Sequence, residues 1–187
     1  MRLKAPRLSP LRDDELNDDQ KEILSTYDRG GRVLNIFRTF VRAPKALKRF
    51  GFWGGYIMSA HNDLAPRDRE LIILRTGYAC KSGYEWAQHT RIGLEVGLTD
   101  AEIAQIKSGP DDPAWSDRDA AMLRAVDELV SNHFISDETW QALSFLTEKQ
   151  KMDLIFTTGQ YTQVSMFLNS VGVQIEEGGE IDPDLRA

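Results

Sequence analysis

Apolar residues recur along most of this chain every three to four positions, which is the spacing of one face of an α-helix. No segment shows the sustained alternation of apolar and polar residues that is typical of a half-buried β-strand. Capping residues and prolines mark where the helices are expected to begin. The predicted starts are Asn17, Asn35, Pro44, Pro66, Ser82, Thr99, Ser116, Ser136 and Thr147. The pattern therefore predicts an all-α protein.

The length of 187 residues suits a single domain. Within residues 1–187 we expect three parts. Residues 1–60 form an N-terminal arm and extra helices, residues 61–175 form the core, and residues 176–187 form a loose tail. The tail is acidic and contains Gly and Pro, a composition that disfavours packing.

Two apolar stretches of the predicted core resemble each other. RELIILRTGY, at residues 69–78, is echoed by KMDLIFTTGQY at residues 151–161. Both stretches later reach a Val-Gly pair, within GLEVGL in the first and FLNSVGV in the second. The echo indicates either a duplicated helical hairpin with one functional half or two unrelated helices that end alike.

The composition excludes several function classes. The net charge of −6 argues against a general nucleic-acid binder, and no apolar run is long enough to cross a bilayer. The basic start MRLKAPRLSPLR lacks the apolar segment of a signal peptide. Cys80 is the only cysteine, which excludes an intrachain disulfide and fits a reducing compartment. We therefore expect a cytoplasmic protein.

The candidate chemistry lies in the central stretch between Pro66 and Gly97. Glu85 and His89 are four residues apart, so on a helix they share one face, and that face continues with apolar residues. Glu70 lies on the apolar face of the preceding helix. Two helices joined by a short break fold back antiparallel, so we expect Glu70 to approach the Glu85–His89 pair.

Structural explanations compete with a catalytic one. Ser82-x-x-Glu85 matches the capping box, in which the glutamate only completes a helix start. His89 could be a packed histidine, and Glu70 could pair with Arg67, Arg69 or Arg75. A metal site built from Glu70, Glu85 and His89 is the least favoured alternative, because di-iron bundles use a Glu-x-x-His spacing that recurs on a second helix pair. We expect neither a metal nor a cofactor.

The segment RDRELIILRTGYACKSGYEWAQHTRIGLEVGLTDAEIAQI resembles the carboxymuconolactone decarboxylase family, which also contains the alkylhydroperoxidase D (AhpD) proteins. The resemblance extends over roughly residues 34–107 and more weakly through GQYTQVSMFLNSVGV. It implies an AhpD-like bundle of antiparallel helices that assembles into a homotrimer or homohexamer and acts on a small molecule, with no nucleic-acid or membrane partner.

The redox branch of that family uses a C-x-x-C-x-x-x-H motif with a Glu twelve residues before the first Cys. In this sequence Ser82 and Glu85 occupy the two thiol positions, while His89 and Glu70 keep theirs. Disulfide-based peroxide reduction needs a nucleophilic and a resolving thiol. An antioxidant activity would therefore have to use Cys80, paired between subunits or with a small thiol.

The decarboxylase branch also places an acid four residues before its His. That resemblance implies a cofactor-independent lyase acting on a small organic acid or lactone, with His89 as the proton donor or acceptor, Glu85 orienting it and Glu70 as a further acid. Ser82 is expected to contact the substrate, and Arg75 and Arg91 are the nearest candidates to bind its carboxylate. The alternatives are the Cys80-dependent antioxidant and a non-catalytic helical assembly protein.

Overall fold

Nine α-helices make up most of the computed structural model, which describes residues 2–186 and contains no β-strand within them. Three short 3₁₀ turns, at residues 13–15, 143–145 and 183–185, complete the regular structure. The predicted all-α class is confirmed. The helices are α1 (Asp18–Ser25), α2 (Asn35–Phe40), α3 (Pro44–Ile57), α4 (Pro66–Ala79), α5 (Gly83–Glu95), α6 (Asp100–Ile106), α7 (Asp117–Asn132), α8 (Asp137–Ala142) and α9 (Glu148–Val171).

Most helices begin where the capping pattern predicts, because a side chain there satisfies a free backbone N–H. Complete capping boxes open α1, α6 and α9, and single serine caps open α7 and α8. Proline occupies the first position of α3 and α4, where its missing N–H costs nothing. Helices α2 and α5 begin without a side-chain cap or a proline, and α5 belongs to the candidate site.

Helix α4 lies at the centre of the molecule and packs against α5, α7 and α9. Nine of its fourteen residues are buried, so it is surrounded by protein on nearly every side. One large core joins α4, α6, α7 and the first half of α9. Helix α9 is the longest, with 24 residues. No helix within residues 2–186 is both long enough and apolar enough to cross a membrane.

The N-terminal helices α1, α2 and α3 form a separate layer over α5 and the second half of α9. Two smaller cores, one around Ile36 and Tyr84 and one around Leu24 and Leu47, hold this layer in place. Gly51 permits the close approach of α1 to α3, because a Cβ at this position would collide with the Tyr27 hydroxyl. This layer roofs the cavity described below.

The described part of the expected loose tail, residues 176–186, is mostly exposed, but it contacts the rest of the molecule at several points. Glu176 is buried and accepts hydrogen bonds from the backbone N–H of Asn35 and the hydroxyl of Tyr84. Further along, Leu185 joins the main core, and Lys107 forms an ion pair with Asp182. The composition of the tail does not reveal these contacts, because the residues that it binds lie far away in the sequence. Met1, the first residue of the predicted arm, and Ala187, the last residue of the predicted tail, lie outside the described residues.

Candidate active site

The break between α4 and α5 brings the predicted acid and histidine residues together. Gly77 allows the two helices to pack closely, since a Cβ there would lie only 3.4 Å from the Cβ of Glu85. The Nδ1 atom of His89 lies 2.7 Å from Oε2 of Glu70, and its Nε2 atom lies 3.4 Å from Oε2 of Glu85. The imidazole is therefore held between two carboxyl groups from neighbouring helices.

All three side chains are buried, with relative exposures of 1% for Glu70, 5% for Glu85 and 7% for His89. Burial of ionisable groups costs free energy unless charge pairing and hydrogen bonds compensate. The compensation is incomplete, because Oε1 of Glu70 has no hydrogen-bond partner among the described residues. Packing alone would favour apolar side chains at these positions. The cluster is therefore a candidate functional site.

The environment shifts the proton affinities of His89 and Glu85 in the same direction. Burial by itself would lower the pKa of His89, but the hydrogen bond to Glu70 and the negative charges of Glu70 and Glu85 outweigh it and raise that pKa. Burial also raises the pKa of Glu85, more than the neighbouring imidazolium lowers it. Both groups therefore hold a proton at higher pH than they would in water.

The structure contradicts the capping-box explanation of Glu85. The Ser82 side chain makes no cap hydrogen bond, and its buried hydroxyl has no partner among the described residues. The backbone N–H of Ser82, which Glu85 would bind in a capping box, already donates to the carbonyl of Gly77. Glu85 is thus free to face His89. Ser82 is fully buried and does not line the cavity, so the structure gives it no contact with a substrate.

A cavity of about 760 Å³ lies beside this cluster, under the N-terminal layer. Glu85 and His89 line it, whereas Glu70 lies behind the imidazole and does not. The remaining wall is mostly aromatic and aliphatic, and helices α1, α2, α3, α5 and α9 contribute to it. A buried acid–base pair at the wall of an apolar cavity is a common arrangement in ligand sites.

Two further cavity residues, Gln160 and Tyr161, come from α9 and were not predicted. The Tyr161 ring meets the His89 ring edge to face at 4.9 Å, and its hydroxyl donates to the sulfur of Met58. Burial, together with the nearby Glu85 and Glu70, raises the pKa of Tyr161, so the phenol stays protonated. The only sequence signal for this pair was its place in the echo of α4.

Of the two arginines predicted to bind substrate, the structure brings only Arg91 to the cavity. The Arg75 guanidinium instead makes two hydrogen bonds to Asp127 and one to the carbonyl of Ile106. It ties α4 to α7, so the prediction for Arg75 is wrong. Nor does Arg75 pair with Glu70, which removes that structural explanation of the buried acid.

Cys80 ends α4 outside the acid–histidine cluster and does not line the cavity. Burial raises the pKa of its thiol, although the nearby hydroxyl groups of Thr162 and Ser165 work in the opposite direction. A thiol with a raised pKa is a weak nucleophile near neutral pH, because the thiolate is the reactive form. Within residues 2–186, no group of three His, Cys, Asp or Glu side chains has the arrangement of a metal site.

Comparisons with known proteins agree with the predicted resemblance. Residues 44–128 match the model of the Carboxymuconolactone decarboxylase family. A search of curated proteins found no significant match.

Solved structures share the fold across nearly the whole chain. An uncharacterized peroxidase-related protein with an alkylhydroperoxidase AhpD core, from Ralstonia eutropha JMP134, is 21% identical with a TM-score of 0.75, covering 91% of this chain and 93% of its own. The debrominase Bmp8, as a cysteine-to-alanine variant in complex with 2,3,4-tribromopyrrole, is 12% identical with a TM-score of 0.75, covering 93% and 94%. A peroxidase-related protein from Silicibacter sp. TM1040 is 16% identical with a TM-score of 0.74, covering 99% and 95%. At these identities the structures establish the fold.

Proposed function

We propose that this chain, which resembles the carboxymuconolactone decarboxylase family and has the fold of AhpD-like proteins, is a cofactor-independent enzyme. Its reaction is a decarboxylase-like acid–base conversion of an organic acid or lactone. The observation that carries the proposal is the imidazole of His89, held between Glu70 and Glu85 at the wall of the cavity.

Each member of the cluster has a distinct part in this proposal. Nδ1 of His89 donates its proton to Glu70, which fixes the orientation of the ring and directs Nε2 towards Glu85. Glu70 is therefore a positioning residue. Glu85 and His89 line the cavity and exchange a proton with the substrate, because both have raised proton affinity and both are accessible from it.

In a decarboxylation the bond between the substrate carbon and its carboxylate breaks, carbon dioxide leaves, and the bonding electron pair remains on the carbon. A proton from the Glu85–His89 pair is then transferred to that carbon, and solvent restores the proton to the pair. No electrons leave the system, so the step needs no oxidant or reductant. The apolar wall favours loss of the carboxylate charge, since the product is less charged than the substrate.

The antioxidant alternative has less support. It would require the Cys80 thiolate, and the pKa of that thiol is raised by burial. Cys80 is the only cysteine in the chain, so a resolving thiol would have to come from another molecule. We expect Cys80→Ser to leave the native activity nearly unchanged.

The test is proton transfer to carbon. A panel of organic acids and lactones that runs from the compact carboxymuconolactone to acids with larger apolar bodies is incubated with the protein in D₂O and followed by NMR. We expect loss of the carboxylate and one deuterium on the product carbon, both abolished in His89→Gln and retained in Cys80→Ser. Turnover that survives in His89→Gln, or peroxide reduction that vanishes in Cys80→Ser, would contradict the proposal.

We also propose a homo-oligomer of at least three chains, as the family resemblance implies. The outer face of α9 supports this, because Met152 and Met166 are half exposed or more and flank the exposed Gly159. Exposed apolar residues along one helix face favour association. Light scattering at micromolar concentration should give a trimer or larger, and a clean monomer of 21.2 kDa would contradict it.

A further inference from the structure

We propose that the cavity takes an amphipathic acid rather than a small compact acid. Besides the group that reacts near His89, the ligand has an extended apolar body and one anionic end. The body lies among the aromatic and aliphatic side chains, the anionic end lies between Arg29 and Arg91, and Gln160 binds a polar group of the body near His89. The proposal rests on the function proposed above and names the class of substrate for it.

The size and lining of the cavity carry the first step. At about 760 Å³ it falls in the range of pockets that bury drug-sized ligands, roughly 300–1,000 Å³. A compact lactone acid would leave most of that space unfilled. The wall is dominated by apolar and aromatic side chains, including Ile36, Phe37, Phe50 and Val164. An apolar body of at least two fused rings, or a chain of similar volume, matches this wall.

The charges at the rim carry the second step. Three cationic side chains line the cavity, Lys48, Arg29 and Arg91, against one rim carboxylate, Glu22. Arg29 and Arg91 also line an adjoining groove of about 480 Å³, to which Arg32 contributes a further guanidinium. The two openings therefore share a cationic edge, which favours an anionic group on the ligand.

Three carboxylates also line the groove, and none of them forms an ion pair with Arg29 or Arg91 among the described residues. Glu176 is bound by the Tyr84 hydroxyl, the Gln88 amide and a backbone N–H, while Glu177 and Glu180 come from the C-terminal tail. Within the described residues Arg29 forms no ion pair, and Arg91 pairs only with the exposed Glu95 on its own helix. Exposed pairs of this kind contribute little, so a ligand carboxylate can replace that partner.

The turn between α1 and α2 holds Arg29 at the rim. The backbone N–H of Arg29 donates to the carbonyl of Arg32, and the Asp28 carboxylate accepts from the N–H of Gly31. Gly30 and Gly31 adopt positive φ angles of 68° and 86°. The backbone would be strained if a residue with a side chain replaced either glycine. These hydrogen bonds lie within the turn and stabilise its conformation, and Arg29 is part of the turn.

Gln160 is the independent sign that a polar ligand group belongs inside the cavity. It is 4% exposed, it lines the cavity, and its carbonyl oxygen has no hydrogen-bond partner among the described residues. An unpaired buried amide oxygen costs free energy, which a ligand donor would recover. A hydroxyl, a phenol or an amide N–H on the ligand body supplies such a donor.

Calorimetry with three probes tests the class without knowledge of the natural substrate. The probes are 2-naphthoate, the neutral 2-naphthalenemethanol with the same rings, and acetate with the same charge. For the wild type we expect naphthoate to bind about tenfold more tightly than the alcohol, as a charge-assisted contact requires, and acetate to give no measurable binding.

Two variants assign the binding to the cavity. A Cβ on Gly54 would lie 3.8 Å from the Gln160 amide nitrogen, so Gly54→Leu fills the space without a collision. It should weaken both naphthyl probes, whereas Lys45→Leu, on the same helix but outside the lining, should not. Arg29→Gln combined with Arg91→Gln should make the two naphthyl probes bind equally, and Arg42→Gln should preserve their difference.

Equal binding of naphthoate and its alcohol to the wild type would overturn the anionic end. Unchanged binding in Gly54→Leu would overturn the cavity as the site. His89→Gln separates this proposal from the catalytic one, because it should bind naphthoate like the wild type even though it has no activity. Loss of activity with retained probe binding supports both, and probe binding without any His89-dependent turnover contradicts only the proposed function.

Discussion

Glu70 of α4 and Asp153 of α9 are buried acidic residues at the start of two similar apolar segments. Their hydrogen-bond partners in the fold are very different. Each directly precedes a Leu-Ile pair in the two stretches that resemble each other. Their relative exposures are 1% and 0%. The comparison separates a carboxylate that stabilises the fold from one that is held for chemistry.

Asp153 is fully satisfied by stable donors. Its oxygens accept hydrogen bonds from the Tyr56 hydroxyl at 2.6 Å, the backbone N–H of Asp63 at 2.7 Å and the Lys149 ammonium at 2.7 Å. Burial would raise its pKa, but these partners outweigh that effect and lower it. Asp153 therefore remains ionised and ties α9 to the end of α3 and the loop that follows it.

Glu70 has a single partner, which is itself titratable. Only its Oε2 is hydrogen-bonded, to His89, and the other nearby ionisable group is a second carboxyl group, Glu85. No lysine or arginine neutralises this cluster within the described residues. The difference teaches that burial alone does not identify a functional acid. A partner that titrates near neutral pH, as the imidazole of His89 does, distinguishes Glu70 from Asp153.

The largest expected effect is a loss of activity when the Glu70–Glu85–His89 cluster is changed, which is not expected for changes at Asp153. Glu85→Gln keeps the shape of the side chain and removes its proton chemistry, so we expect activity to fall by about 10²-fold or more. The melting temperature should stay close to that of the wild type. Steady-state kinetics measure the change, with Glu138→Gln on the exposed surface of α8 as the control. Full activity in Glu85→Gln would contradict the distinction between a catalytic carboxyl cluster and the structural carboxylate of Asp153.

The converse effect is expected at Asp153. Asp153→Asn removes the charge that pairs with Lys149, and charge-assisted hydrogen bonds of this kind contribute about 1.5–3 kcal/mol. We expect urea unfolding to show a loss in that range, and activity per folded molecule to be unchanged. If Asp153→Asn lowered activity while leaving stability intact, the assignment of roles would be reversed.

The pH dependence of stability should have opposite signs in the two regions. The pKa of His89 is raised, so its stabilising contribution is complete below its ordinary value of 6.5 and is lost as the pH rises through the folded value. The pKa of Asp153 is lowered, so its contribution is complete above its ordinary value of 3.8 and is lost as the pH falls through the folded value.

Urea unfolding across the pH range measures this difference. Relative to the wild type, His89→Gln should flatten the decline in stability above pH 6.5, and Asp153→Asn should flatten the decline on the acid side. Parallel curves for the wild type and both variants would contradict the opposite signs.

The smallest expected effect concerns Ser82. As a helix cap its removal would cost about 1 kcal/mol, but its hydroxyl makes no hydrogen bond among the described residues. We expect Ser82→Ala to change the free energy of unfolding by less than this, with Thr99→Ala, at a working capping box, as the matched control. A full cap-sized loss in Ser82→Ala would restore the structural explanation of that helix start.

These outcomes show which features the sequence could predict. The Glu70, Glu85 and His89 cluster was predictable because it depends on helical spacing and on one short break between adjacent helices. The Ser82 cap was wrong because the carbonyl of Gly77 already bonds the N–H that a capping box would use. Local patterns carry no information about such competition.

The rest of the site depends on contacts between distant segments. Arg29 reaches the cavity through the packing of the N-terminal layer, and Gln160 reaches it from α9, more than sixty residues beyond the end of α5. Arg75 was predicted from its closeness in sequence to the site, yet its side chain points to α7 and Asp127. Sequence proximity on a helix does not determine direction when several faces are buried.

The central claim is that His89 holds its proton unusually tightly because two carboxyl groups face it. Nitrogen-15 NMR of the imidazoles measures this directly, with His89 assigned among the three histidines by its absence in His89→Gln. The account predicts a His89 pKa above the ordinary 6.5, falling in both Glu70→Gln and Glu85→Gln. A His89 pKa at or below 6.5 that neither variant moves would contradict it.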